Sequence, residues 1–143
     1  ESTAYRLPCY FFIRDSSWFA SCLEPDPDGL IRTIILDDVT STELDAFLSV
    51  LYPENFTVGD LTEQIEWIAV LKLATQWSFQ SIRHLAITKL DPLVSPMDRL
   101  LLARAYNVQI WVDVALHALC IREEPLSLPE IRRMAYIDIA LIS

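Results

Sequence analysis

Glycine is scarce in this chain, since only Gly29 and Gly59 occur among its 143 residues. A phosphate-binding loop needs several glycines to bring its backbone N–H groups close to an anion, so nucleotide binding of this kind is disfavoured. Eight prolines, in contrast, are spread along the sequence. Because proline stiffens connections and ends helices, this composition predicts helices joined by short, rigid turns.

Basic residues are in deficit, with 11 Lys and Arg against 20 Asp and Glu and a formal net charge of −9. Such a surface repels phosphate groups, so we expect no direct binding of nucleic acid. Hydrophobic residues make up 52% of the chain, yet no apolar run approaches the roughly 18 residues of a membrane span. We therefore expect no membrane partner, and either an unusually complete core or an exposed apolar patch that another chain covers.

Cysteine is limited to Cys9, Cys22 and Cys120. An odd number without close spacing argues against a disulfide framework and predicts a reducing compartment, so we expect an intracellular protein of the cytoplasm or nucleus. The apolar neighbours of each cysteine predict buried thiols. Because the chain begins at Glu1 rather than Met, we expect a piece of a longer protein.

Groups able to perform catalysis are few. His84 and His117 have no Cys or carboxylate partner at metal-ligand spacing, so no metal is predicted. Ser16 and Ser17, which follow Asp15, are the conceivable nucleophiles of a small serine hydrolase, but no glycine flanks them to form a strained elbow. The chain is therefore predicted to be no enzyme and to need no cofactor, with hydrolase activity as the least favoured alternative.

Helix start signals recur along the chain. Side chains able to cap a helix precede five apolar-periodic segments, at Thr40, Asp60, Ser78, Ser95 and Ser127. The helix that begins at Ser127 is expected to run to about Ile137. The β-branched residues from Leu30 to Leu36 follow a polar turn cluster at 24–29, and this pattern predicts one short strand.

The segment from Leu7 to Phe19 has the densest aromatic content and is predicted to form the first helix. Its aromatic residues are Tyr10, Phe11, Phe12, Trp18 and Phe19. Adjacent aromatics on a helix point to more than one face. Two interpretations remain open: a central core helix touched on all sides, or a helix shared between the core and a partner. Trp67 and Trp77 are predicted to be core residues.

Four motifs occur in a characteristic order. They are Ser16-x-x-Phe19 on the first helix, a strand ending in Ile35-Leu36-Asp37-Asp38-Val39, a helix ending in Phe47-Leu48-Ser49-Val50-Leu51-Tyr52-Pro53, and a helix with Leu71-Lys72-Leu73-Ala74. In this order they resemble the BTB/POZ domain family. The segments 8–16 and 73–79 are similar in particular to the BTB-containing proteins of mushroom-type fungi.

The resemblance covers residues 5–91 and implies an α+β, mainly helical fold, in which a BTB/POZ-like helical cluster carries a small sheet. Residues 92–143 resemble the first part of the helical extension called BACK, packed on that domain. The implied function is a non-catalytic protein–protein interaction module that forms homodimers and binds adaptor or scaffold partners. Alternatives within the family are a substrate adaptor of a cullin-type ubiquitin ligase, which makes a cullin a possible partner, and the interaction domain of a transcription regulator.

The resemblance also implies two sets of contact residues. Because the first helix of the family packs against its partner copy, the candidates for the dimer interface are Leu7, Tyr10, Phe11, Phe12 and Trp18. Partner docking is expected around the end of the next long helix, at Val50, Tyr52, Pro53 and Phe56.

Overall fold

The computed structural model describes residues 2–23, 33–57 and 59–142. The chain divides into two compact units, Glu1–Leu90 and Asp91–Ser143. Within the described ranges the chain is mainly helical and contains nine helices. None of these helices combines the length and the apolar character that a membrane crossing requires.

The first unit contains five helices: α1 (Tyr10–Asp15), α2 (Ser17–Cys22), α3 (Ser41–Leu51), α4 (Gln64–Gln76) and α5 (Gln80–Leu90). Helix α4 packs between α3 and α5. Its apolar positions recur at helical spacing, and Val70, Leu71 and Ala74 are completely buried. Trp67 and Trp77 are buried as predicted, with 6% and 1% of their surface exposed.

Helix α3 begins at the predicted capping box. The Thr40 hydroxyl accepts a hydrogen bond from the Glu43 N–H at 3.2 Å, and the Glu43 carboxylate accepts one from the Thr40 N–H at 3.0 Å. Lys72 on α4 donates to the same carboxylate at 2.8 Å. Burial raises the pKa of Glu43, but the bonds from Lys72 and Thr40 outweigh this effect and leave the pKa below its ordinary value. The prediction of this cap is confirmed.

Two predicted helix starts are wrong. Helix α4 begins after a capping box of Glu63 and Glu66, not after Asp60. The Asp60 carboxylate instead accepts hydrogen bonds from the N–H groups of Glu54 and Asn55 at 2.7 and 2.9 Å and closes the loop before the helix. Ser78 has a left-handed backbone with φ of 58°, so it belongs to the end of α4 rather than to the start of α5.

The predicted strand is not found in the part that can be assessed. Residues 30–32 and the turn cluster 24–29 lie outside the described residues, and residues 33–36 form no strand. Ile35 is 82% exposed. Among the described residues, the one bridge of β type is isolated and antiparallel, between Ser16 and Phe79. β-Branched residues favour a strand only where a neighbouring strand offers packing, and no such neighbour is described here.

The second unit contains α6 (Pro96–Tyr106), α7 (Gln109–Ile121), α8 (Leu128–Arg133) and α9 (Tyr136–Ile142). Ser95 caps α6 as predicted, and its hydroxyl accepts a hydrogen bond from the Asp98 N–H at 3.2 Å. Asn107 ends α6 in a left-handed conformation with φ of 56°, which asparagine tolerates better than most residues. Helix α7 packs against α6 and α9.

An ion pair between a half-exposed arginine, Arg104, and a buried aspartate, Asp138, joins α6 to α9. The Asp138 carboxylate has no exposed surface, and the Arg104 guanidinium donates to both of its oxygens. The Nε–Oδ2 distance is 3.0 Å. A bidentate pair of this kind offsets the free-energy cost of removing the carboxylate from water.

The predicted capping box of Ser127 and Glu130 is confirmed, but α8 is shorter than expected. The extended backbone of Met134 ends the helix, and α9 follows as a separate element. Arg122 donates to both oxygens of Glu130 at 2.9 and 2.8 Å. These bonds, followed by those from Ser127, lower the pKa of Glu130 to about 2.

This cap predicts a pH response. Because the folded pKa of Glu130 lies below its unfolded value, the cap is fully stabilising above about pH 4.5 and is lost as the pH falls toward 2. We expect NMR titration of the Glu130 side chain to give a midpoint near 2, and Glu130→Gln to remove the acid-induced loss of α8. A midpoint near 4.5 would contradict the predicted cap.

The prediction of buried thiols is wrong, since Cys9, Cys22 and Cys120 are all exposed and unpaired. Apolar neighbours in sequence did not indicate burial because adjacent residues on a helix face different directions. On α7, for example, Leu119 is 4% exposed whereas Ile121, on the other side of Cys120, is 67% exposed.

Candidate interaction surface

Ser16 divides the predicted first helix into two short helices. Its backbone is extended, with φ of −125° and ψ of 115°, so α1 ends before it and α2 begins after it. The Ser16 hydroxyl accepts a hydrogen bond from the Phe19 N–H at 3.0 Å and donates one to the Trp77 carbonyl. The Ser16-x-x-Phe19 motif is thus a helix N-cap whose third helical position carries a core aromatic.

Aromatic rings from three parts of the first unit meet in its core. They belong to Phe12, Phe19, Phe47, Trp77 and Phe79. Most pairs meet edge to face, for example Phe12 and Phe19 at 4.9 Å between centroids, which is a favourable geometry for aromatic pairs. Phe12, a predicted interface residue, is only 7% exposed. Its place in this cluster makes it a core residue of the unit.

The outer side of α1 carries a second aromatic group. We define the aromatic surface as Tyr10, Phe11, Arg14 and Tyr52. The rings of Tyr10 and Phe11 lie 5.5 Å apart, and those of Phe11 and Tyr52 lie 5.7 Å apart. Tyr10 is 63% exposed and Tyr52 is 36% exposed. Residues predicted separately for dimerisation and for partner docking therefore share one surface.

Arg14 lies over two rings of the aromatic surface without adding net charge. Its guanidinium carbon lies 5.4 Å from the Tyr10 ring centroid and 4.9 Å from that of Phe11. Asp15 accepts two hydrogen bonds from the same guanidinium, at 2.8 and 2.6 Å. These bonds lower the pKa of Asp15 and keep it charged. The aromatic surface thus holds a cation whose charge is balanced by its neighbour.

The remaining predicted interface residues, Leu7 and Trp18, do not belong to the aromatic surface. Leu7 precedes α1 and is 38% exposed. Trp18 on α2 is 37% exposed, and its ring stacks on Trp77 with 6.4 Å between centroids. Ile13, which the sequence did not single out, is 42% exposed. The ring contacts of Trp18 are with Phe19 and Trp77 of the core rather than with the aromatic surface.

The sequence contained a signal for one missed residue. Arg14 follows Tyr10 by four positions and Phe11 by three, and side chains at these spacings are neighbours on a helix. The stacking of Arg14 was therefore foreseeable. The contact between Phe11 and Tyr52 was not, because it joins α1 to the end of α3 across some forty residues.

The other predicted docking residues line a cleft instead. Val50, Pro53 and Phe56 border a cleft of about 260 Å³, together with apolar residues from α4, α5 and the loop before α4: Leu61, Trp67 and Leu85. Phe56 is 87% exposed. The predicted docking set is therefore divided between the aromatic surface, which holds Tyr52, and this cleft.

The described residues contain no group of three or more His, Cys, Asp or Glu side chains placed to hold a metal ion. Comparisons with known protein families, with curated proteins and with solved structures found no match.

Proposed function

We propose that this chain is a non-catalytic protein–protein interaction module that associates with a second copy of itself through the aromatic surface. The observation that carries the proposal is the continuous group of rings formed by Tyr10, Phe11 and Tyr52, in which Tyr10 and Tyr52 are exposed and Phe11 is half-buried between them. Aromatic and arginine side chains dominate the binding energy of protein interfaces. The resemblance of the sequence motifs to the BTB/POZ family supports the same function, with adaptor or scaffold binding as its consequence.

The charge of the aromatic surface supports self-association in particular. Two copies of a chain with a net charge of −9 repel each other at long range. Self-association therefore requires a contact region without unpaired carboxylates. The pairing of Arg14 with Asp15 meets this requirement, since the bonded pair is neutral as a whole.

The cleft bordered by Val50, Pro53 and Phe56 supports the adaptor part of the proposal. It lies in the same unit, and the large exposed apolar side chain of Phe56 borders it beside a lining that combines apolar residues with polar ones such as Asp60 and Lys89. Concave apolar sites are where partners bury anchor side chains. The three free thiols fit a location in the cytoplasm or nucleus, where thiols stay reduced.

Sedimentation velocity over a wide concentration range tests the proposal. We expect a dimer of the 16.4 kDa chain, and we expect Tyr10→Glu to weaken it at least tenfold because a buried unpaired carboxylate is costly. Tyr136→Glu is the matched control, since Tyr136 is also the first residue of a short helix and is 92% exposed.

The outcomes separate the possibilities. Tyr136→Glu and Phe56→Ala should leave self-association unchanged, because neither residue belongs to the aromatic surface. A monomer at every concentration would refute self-association. Equal weakening by Tyr10→Glu and Tyr136→Glu would indicate a general charge effect and would refute the assignment to this surface.

A further inference from the structure

The carbonyl of Trp77, at the end of helix α4, needs a hydrogen-bond donor from outside the helix. The Phe79 N–H bonds to the Ala74 carbonyl at 2.9 Å, and Ser78 between α4 and Phe79 is left-handed. This arrangement ends a helix in a Schellman motif, usually with glycine at the left-handed position. Trp77 is 1% exposed, so water does not readily reach its carbonyl. The last carbonyls of a helix have no partner within the helix and must find one elsewhere.

Ser16 supplies that donor. Its hydroxyl donates to the Trp77 carbonyl while it accepts from the Phe19 N–H. One buried hydroxyl therefore caps the start of α2 and the end of α4 at the same time. The antiparallel bridge between Ser16 and Phe79 adds a backbone connection at the same point, and Ser16 itself is 1% exposed.

Helix α1 depends on this connection for its direction. It has six residues, and no side chain caps its start. Its last turn is hydrogen-bonded to Ser16, because the Ser16 N–H donates to the Phe12 carbonyl at 3.1 Å. Helices this short are not stable without support from the surrounding structure. Tyr10 and Phe11 lie on this helix, so their orientation follows from the way α1 leaves Ser16.

We infer that Ser16 is a positioning residue for the aromatic surface: by capping α2 and α4 together, it sets the direction of α1 and therefore the placement of Tyr10 and Phe11. The inference rests on the proposed function for the role of that surface. The placement of α1 itself is measurable without any partner.

Hydrogen exchange and sedimentation velocity on Ser16→Ala test the inference. We expect the amide of Ile13 in α1 and that of residue 16 at the end of α1 to exchange at least tenfold faster, with a smaller change at the Arg83 amide in α5. We expect the dissociation constant of the dimer to rise at least tenfold. Ser49→Ala is the control, because the Ser49 hydroxyl donates to the Ala46 carbonyl at 2.7 Å within α3, so that this change removes a hydroxyl bond of the same kind outside the connection through Ser16.

The exchange rates and the dissociation constant together separate the inference about Ser16 from the proposed self-association. The inference is overturned if amide exchange in α1 rises no more than amide exchange in α5. It is also overturned if Ser49→Ala produces the same rise in α1. Rapid exchange in α1 with an unchanged dissociation constant also overturns it and leaves the proposed function standing. If the unmodified chain is monomeric, the proposed self-association fails, whereas faster exchange in α1 and α2 with little change in α5 still supports the positioning of α1 by Ser16.

A second measurement applies if Ser16→Ala does not fold. Exchange of the unmodified protein in rising urea reports which amides open together. A shared opening for the Ile13 and Phe19 amides supports the connection through Ser16. Separate openings, with different dependence on urea, overturn it.

Discussion

Replacing Arg104 by methionine is expected to lower the free energy of unfolding of the second unit by about 3–5 kcal/mol. The change keeps the apolar stem but leaves the carboxylate of Asp138, which has no exposed surface, without its two hydrogen bonds. Urea unfolding followed by circular dichroism measures the loss. Arg133→Met is the matched control, because Arg133 pairs with Asp98 at 3.5 Å on the surface and such pairs contribute about 0–1 kcal/mol.

The double variant Arg104→Met/Asp138→Leu sharpens this test. Apolar residues of similar volume often replace a buried ion pair without loss of stability. We therefore expect the second change to recover most of the stability that the first removes. If Arg104→Met lowers the free energy of unfolding no more than Arg133→Met does, water reaches Asp138 and the ion pair does not hold α9 in place.

Replacing Phe12 by alanine should destabilise the first unit by about 3–5 kcal/mol, which is typical of a buried phenylalanine. Phe12 packs against the rings of Phe19 and Phe79, at 4.9 and 5.8 Å between centroids. Tyr10→Ala, two positions away on the exposed side of α1, should change stability by no more than about 0.5 kcal/mol. Urea unfolding at a protein concentration too low for self-association compares the two variants.

The Phe12 result also decides between the two interpretations of the aromatic segment. A large loss of stability in Phe12→Ala with little change in Tyr10→Ala means that α1 has a core side and a partner side. If Phe12→Ala instead weakens self-association and leaves stability unchanged, Phe12 belongs to the interface, as the resemblance to the BTB/POZ family implied.

Helix caps were predictable because their partners are close in sequence. Thr40 with Glu43 and Ser127 with Glu130 form the bonds expected of them, since a capping side chain reaches N–H groups only two or three residues away. Asp60 shows the limit of such local rules. Its spacing to Glu63 equals that of a capping box, but the following pair of glutamates caps α4 instead.

The candidate surface was predictable only in part. Its aromatic residues stand out in composition, and Tyr10 and Phe11 were correctly expected on a helix. Which of the adjacent aromatics face the core depends on where α1 ends, and this depends on the bond from Ser16 to Trp77, 61 residues away. The grouping of Tyr52 with Phe11 depends on the packing of α3 beside α1 in the same way. The BTB/POZ identity and the partner it implies remain predictions.

The amino-acid sequence alone was enough to establish the helical character, three of the five predicted helix starts and the burial of Trp67 and Trp77, because these follow from composition, from periodicity and from contacts within about four residues. It did not reveal the exposure of the three cysteines, the break at Ser16, the burial of Phe12 or the pairing of Arg104 with Asp138 across 34 residues. Each of these depends on which distant segment supplies the contact surface or the hydrogen-bond partner. That choice is made by packing in three dimensions, where burial must be balanced against the loss of bonds to water.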